Sequence, residues 1–165
     1  MRYWLMKSEP DETSIDDALA AKAGSVPWTG VRNYQARNFM RDEMRLGDGV
    51  LFYHSSCAEP GIAGLAEVNS TSYPDPTQFD RKSPYYDPKS TPENPRWLLV
   101  DIKATEKTRL IGLPELREHS ELSDMIILRR VTDCRLLLSL PLNGNSLCKN
   151  LFPKNLIESP EWILV

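Results

Sequence analysis

A chain of 165 residues with 41% hydrophobic and 26% charged residues has the length and composition of one globular domain with a sizeable core. Its net charge of −3 excludes a broad basic surface that would hold a polyanion through phosphates alone, so any nucleic-acid contact must be local. No apolar run spans a membrane and no secretory leader is visible, while the scattered Cys57, Cys134 and Cys148 point to reduced thiols in the cytoplasm.

In chain order, Arg2 to Lys7 mixes aromatic and aliphatic residues over strand length and reads as a central strand that stops at Ser8-Glu9-Pro10. Ser14 and Asp17 have the spacing of a capping box, so a helix begins at Ile15 and is expected to end near Gly24. A second helix is predicted from about Arg32 to Met44, and Leu46 to Gly49 reads as a turn. Strands follow at Val50–His54, within Gly61–Tyr73 and at Trp97–Ala104, with a short helix at Leu113–His119. Met125–Leu128 and Leu136–Leu140 read as closing strands. Between Tyr73 and Pro95 the chain is rich in Pro, Asp, Ser and Lys without periodicity, a long loop of the kind that carries function. Several short strands with helices inserted early imply a small mixed sheet curled toward a barrel, an α+β fold.

Six blocks in register resemble the EVE domain: Tyr3 to Pro10, Trp28 to Asn38, Gly47 to Ser55, Gly61 to Val68, Tyr73 to Pro76, and Tyr85 to Ser90 with Pro95-Arg96-Trp97. The resemblance covers roughly residues 2 to 130 and looks like the stand-alone bacterial kind. It implies a PUA-like mixed β pseudo-barrel flanked by short helices, related in shape to YTH domains, and binding of modified bases, chiefly modified cytosines, in DNA or RNA. The expected organisation is one domain over 1–165, monomeric, with 142–165 departing from the family pattern as an added segment and Trp162 anchoring the tail.

Flat aromatic surface beside fixed polar groups is what grips a heterocycle taken out of its stack. Trp28, just before Gly30 and Val31 at a helix start, is the expected stacking ring at the pocket rim, and Trp97 could form a second wall. Ser8, Glu9 and Asn33 could reach a base edge, although Ser8 and Asn33 could equally cap backbone amides. Strand alternation puts Tyr53 and Ser55 on the pocket face and His54 on the other. Asn33, Arg37, Arg41 and Arg45 form a helix stripe leading away from the pocket, so Lys7, Arg32, Arg37 and Arg41 are the candidate phosphate contacts. Tyr73-Pro74-Asp75 could fold over the pocket as a lid.

Zinc-deaminase, phosphate-loop and nucleophile-elbow signatures are absent, and no metal or other cofactor is expected. The reading is therefore a non-catalytic binder of modified bases. A small hydrolase acting on a nucleoside or amide, and a protein-interaction module using the Pro-rich loop, are the competing classes.

Overall fold

The computed structural model describes residues 2–118 and the backbone of 162–164, and the expected strands at 125–128 and 136–140 lie outside those residues. Among the described residues, eight strands and three α-helices are arranged in chain order as β1 (Tyr3–Ser8), α1 (Ile15–Leu19), β2 (Val26–Pro27), α2 (Tyr34–Asp42), β3 (Gly49–His54), β4 (Gly61–Val68), β5 (Tyr73–Pro74), β6 (Leu98–Leu99), β7 (Asp101–Gly112), α3 (Leu113–Glu118) and β8 (Trp162–Leu164), with a single 3-10 turn at Pro76–Gln78. The main sheet has the order β2-β7-β4-β3-β1-β8, and β5 with β6 forms a separate ribbon. β1 runs parallel to β3 and β8, and the other pairings are antiparallel. The result is the curled mixed half-barrel expected from the sequence.

β1 has Tyr3 through Met6 all buried, the continuous apolar run of a strand flanked by parallel neighbours and covered on both faces. The core gathers Trp4, Met6, Ile15, Trp28, Phe39, Met40, Phe52 and Ile102 between the sheet and the helices. α1 is capped as its sequence predicts. Ser14 Oγ accepts from the Asp17 N–H at 3.1 Å, and Asp17 accepts from the Ser14 N–H at 2.9 Å. It stops at Leu19, earlier than expected, and Gly24 serves instead in a turn at φ +76°. Ile15 packs onto Gly64, where a Cβ would lie 2.5 Å from Ile15 Cδ1. α2 buries Ala36, Phe39 and Met40, the i, i+3, i+4 stripe that faces the core.

Two elements differ from expectation. The strand predicted at Trp97–Ala104 is split into β6 and β7, and β7 continues to Gly112. Its second half is charged and largely exposed, so it lacks an apolar alternation, and register shifts against β4 disturb the pattern further. β2 was not foreseen because it is two residues long and contains Pro27; as the sheet's edge it needs no second ladder.

The long loop is folded by its own buried polar groups. Gln78 is fully buried, donates to the Asp75 and Trp97 carbonyls at 2.7 and 2.9 Å, and accepts from the Arg96 and Trp97 N–H groups. One amide thus joins the start of the loop to its end and satisfies four backbone groups.

Candidate nucleic-acid interface

β1 and β3 end side by side, and the loops leaving them meet the segment before α2 around a cavity of about 650 Å³. Lys7 and Ser8 line it from the end of β1 with Glu9 just beyond, Ser55 and Ser56 from the loop after β3, and Trp28 through Asn33 from the α2 approach. That volume suits a small planar ligand. Trp28 contributes as a buried wall, not as the free rim expected: it is 7% exposed and makes an edge-on contact with Phe52 at 5.2 Å. Its position is set by the 2.9 Å bond from its N–H to the Val100 carbonyl.

Gly30 turns the chain at φ +82°, a conformation that favours glycine, and donates its N–H to Asp75 at 3.0 Å. A Cβ on Gly30 would lie 2.7 Å from Tyr85 Cζ, so the Tyr85 ring packs flat against this turn and closes one side of the cavity. The Tyr85 hydroxyl donates to Glu12 at 2.5 Å; that bond and burial push its pKa up to about 12. Tyr85 is therefore a neutral donor near pH 7.

Several expected roles change on inspection. Arg32 is not free for phosphate: it pairs with the buried Asp75 at 2.8 Å and also donates to Thr77 and to the Tyr85 carbonyl. Burial would raise the Asp75 pKa, but hydrogen bonds from Thr77, Arg32 and the Gly30 N–H outweigh it and hold the carboxyl below its usual range. Arg41 faces Asp42 at 2.7 Å on the surface, so its charge is met locally. Arg37 makes no lining contact; it donates to Asn38 and to the Arg96 carbonyl.

Tyr53 does not reach the cavity. It is 3% exposed and does not share the side of Phe52 and His54, whose rings meet edge-on at 5.7 Å. Ser55 does line the cavity because β3 has already ended at His54, and Ser56 turns at φ +54°, so strand parity no longer governs it. Trp97 is buried away from the cavity, stacked on Tyr34 at 4.8 Å and donating to Asp87 at 2.7 Å. None of the expected lid residues Tyr73-Pro74-Asp75 lines the cavity: Tyr73 donates to Asp101 at 2.6 Å, Asp75 is buried, and from the long loop it is Tyr85 that reaches the cavity wall.

The capping alternative holds in part for the two polar candidates. Asn33 Oδ1 accepts from the Gln35 and Ala36 N–H groups at 2.8 and 3.0 Å, while its amide NH₂ makes no hydrogen bond among the described residues. Ser8 Oγ donates to the Thr13 carbonyl at 2.8 Å. Ser55 Oγ donates to the Ser8 carbonyl, so neither of these two serines is held by a base; His54 instead accepts from the Ile15 N–H at 3.1 Å. Glu9 and Lys7 are exposed at the cavity and make no side-chain hydrogen bond among the described residues. Sequence reasoning missed Glu12, Thr13 and Tyr85, although Tyr85 opens one of the blocks that carried the family resemblance.

Comparison with known proteins bears on this arrangement. The profile of the EVE domain matches residues 2–136. Human thymocyte nuclear protein 1 is 46% identical over 129 residues, covering 72% of this chain and 57% of that protein. The chain thus spans about half the length of the curated relatives it matches. A crystal structure of a Pseudomonas syringae protein is 47% identical, with a TM-score of 0.74 over 81% of this chain and 88% of that one. The crystal structure of human THYN1 protein in complex with 5-methylcytosine-containing DNA is 41% identical, with a TM-score of 0.74 over 80% and 87% of the two chains.

Proposed function

This chain belongs to the EVE domain family, and we propose that it binds DNA carrying a modified cytosine, holding that base in the cavity beside Trp28, Gly30, Val31 and Tyr85. The observation that carries the reading is the solved complex of a 41% identical relative of the same fold with 5-methylcytosine-containing DNA. The base enters unpaired, because a cavity of this kind can receive a heterocycle only after it has left the stack. Apolar contact with Trp28 and Val31 receives the substituent. Glu9 accepts from an exocyclic amine, and the Asn33 NH₂ donates to a ring or carbonyl acceptor. Lys7 meets the phosphate at the mouth.

Binding releases the base unchanged: the Ser8 and Ser55 hydroxyls are engaged with backbone carbonyls, and no described histidine lines the cavity to activate a nucleophile. RNA carrying the same modification is a second ligand for the same pocket. A monomer suffices, since one chain supplies the lining, and the scattered cysteines support a reducing compartment such as the cytoplasm.

The test is the affinity of labelled single-stranded and duplex oligonucleotides with 5-methylcytosine or cytosine at one position. One methyl group in an apolar pocket supports a preference of about tenfold. Ser55→Trp, which fills the cavity without removing a core residue, should abolish that preference while leaving the melting temperature and circular dichroism intact. Equal affinity for both oligonucleotides overturns the proposal.

A further inference from the structure

Tyr34 opens α2 directly after the capping Asn33 and keeps 47% of its surface exposed. It is nonetheless held firmly. Its ring stacks on Trp97 with centroids 4.8 Å apart and planes at 25°, and its hydroxyl is hydrogen-bonded to Arg96. The Arg37 guanidinium carbon lies 5.0 Å from its centroid. Trp97 in turn is 5.4 Å from the Arg32 guanidinium, which is also 5.4 Å from the ring of Tyr85. Planar groups in contact therefore run from the cavity wall to the surface in the order Tyr85, Arg32, Trp97, Tyr34, and the Arg37 guanidinium lies next to the outermost, still exposed ring.

The charges along this row are not equivalent. Arg32 is matched by Asp75, and Arg96 by Asp87 at 2.9 Å. Arg37 donates only to the Asn38 side chain and the Arg96 carbonyl, so no carboxylate pairs with it among the described residues. Arg37 feels Asp42 only at longer range, and an immobilised, exposed aromatic ring beside a guanidinium with no direct ion pair is the combination that takes a base face and its phosphate from a single strand. A ring that served only to brace the loop would gain by being covered.

We propose that Tyr34 and Arg37 form a second nucleotide contact, in which an unpaired base neighbouring the one in the cavity stacks on Tyr34 and its phosphate meets Arg37. The proposal rests on the cavity reading only for which nucleotide is the neighbour. It assigns the ligand class as a single-stranded or locally opened segment, since a base inside an intact duplex offers no free face.

The experiment uses short single strands with a central 5-methylcytosine, flanked either by thymidines or by abasic residues, and a matched pair with unmodified cytosine. Affinities are measured for the parent protein, Tyr34→Ala and Tyr34→Phe. Tyr34→Ala should weaken the thymidine-flanked strand about tenfold and leave the abasic-flanked strand unchanged. Tyr34→Phe keeps the ring and should bind both strands as the parent does, although it loses the bond to Arg96. Equal weakening of both strands by Tyr34→Ala, weakening of neither, or no binding of any strand overturns the proposal. A flank-dependent loss without any preference for the methylated base retains the second contact and removes the cavity reading, so the two fail separately.

Discussion

Gly30 and Tyr85 fit together at the cavity wall: the glycine sits at φ +82°, and its missing Cβ leaves the space that the Tyr85 ring fills, 2.7 Å from where that atom would stand. Gly30→Ala therefore combines a strained backbone with a displaced ring and should cost about 1–3 kcal/mol of stability. In the Gly30→Ala, Tyr85→Ala double variant the clash is gone and only the backbone strain remains. Urea unfolding should accordingly give the pair a loss smaller than the sum of the two single losses. Strict additivity would mean that the ring and the turn are not in the contact described.

Asp75 anchors the same turn from below. Its 1% exposure and its bonds to the Gly30 N–H, Thr77 and Arg32 make it the point where the α2 approach and the long loop are joined. Asp75→Ala leaves the Arg32 charge without its partner and should cost about 3 kcal/mol, the low end for a broken buried pair because Arg32 keeps some solvent contact. Because its folded pKa is depressed, Asp75 stabilises the protein fully above the ordinary carboxylate range, and the contribution fades as pH falls through the folded value. An acid titration of the urea midpoint should show this loss in the parent and lack it in Asp75→Asn.

His54 has the opposite requirement. It must be neutral to accept the Ile15 N–H, and burial holds its pKa below 6.5, with Asp16 opposing and Lys107 reinforcing the shift. The unfolded chain thus binds the proton more readily than the folded one. Stability is complete above about pH 6.5, declines as pH falls below that, and levels off under the folded pKa. His54→Gln should flatten the urea-midpoint profile between pH 7.5 and 5.5; an unchanged slope would refute this role.

Salt dependence separates the cations that the stripe on α2 does not. Lys7→Gln should lower the slope of log affinity against log salt by about 0.7 for a single strand. Arg41→Gln should leave the slope unchanged, since Arg41 is paired with Asp42. Tyr53→Phe should likewise leave affinity unchanged, since Tyr53 is buried outside the cavity.

The elements legible from sequence were those governed by near neighbours. The Ser14–Asp17 box and the apolar run of β1 each depend on spacings of a few residues, and each appears where the pattern places it, whereas Tyr34, expected on the apolar side of the second helix, is exposed. Ser8, Glu9, Trp28, Gly30, Val31, Asn33, Ser55 and Lys7 all line one cavity because they lie at the ends of those legible elements. Where local parity ceased to apply, the reading slipped: Tyr53 is inside the strand and turned away, while Ser55 is past its end.

By itself, then, the sequence determined the family, the mixed sheet with its early helices, and the neighbourhood of the site. Only the tertiary structure decided which charges and rings are available there. Arg32 is occupied because Asp75 arrives from 43 positions away, and Tyr85 closes the wall because the loop returns 53 positions after Arg32. Pairing and burial at such separations depend on how a loop closes over the sheet, and no local spacing encodes that.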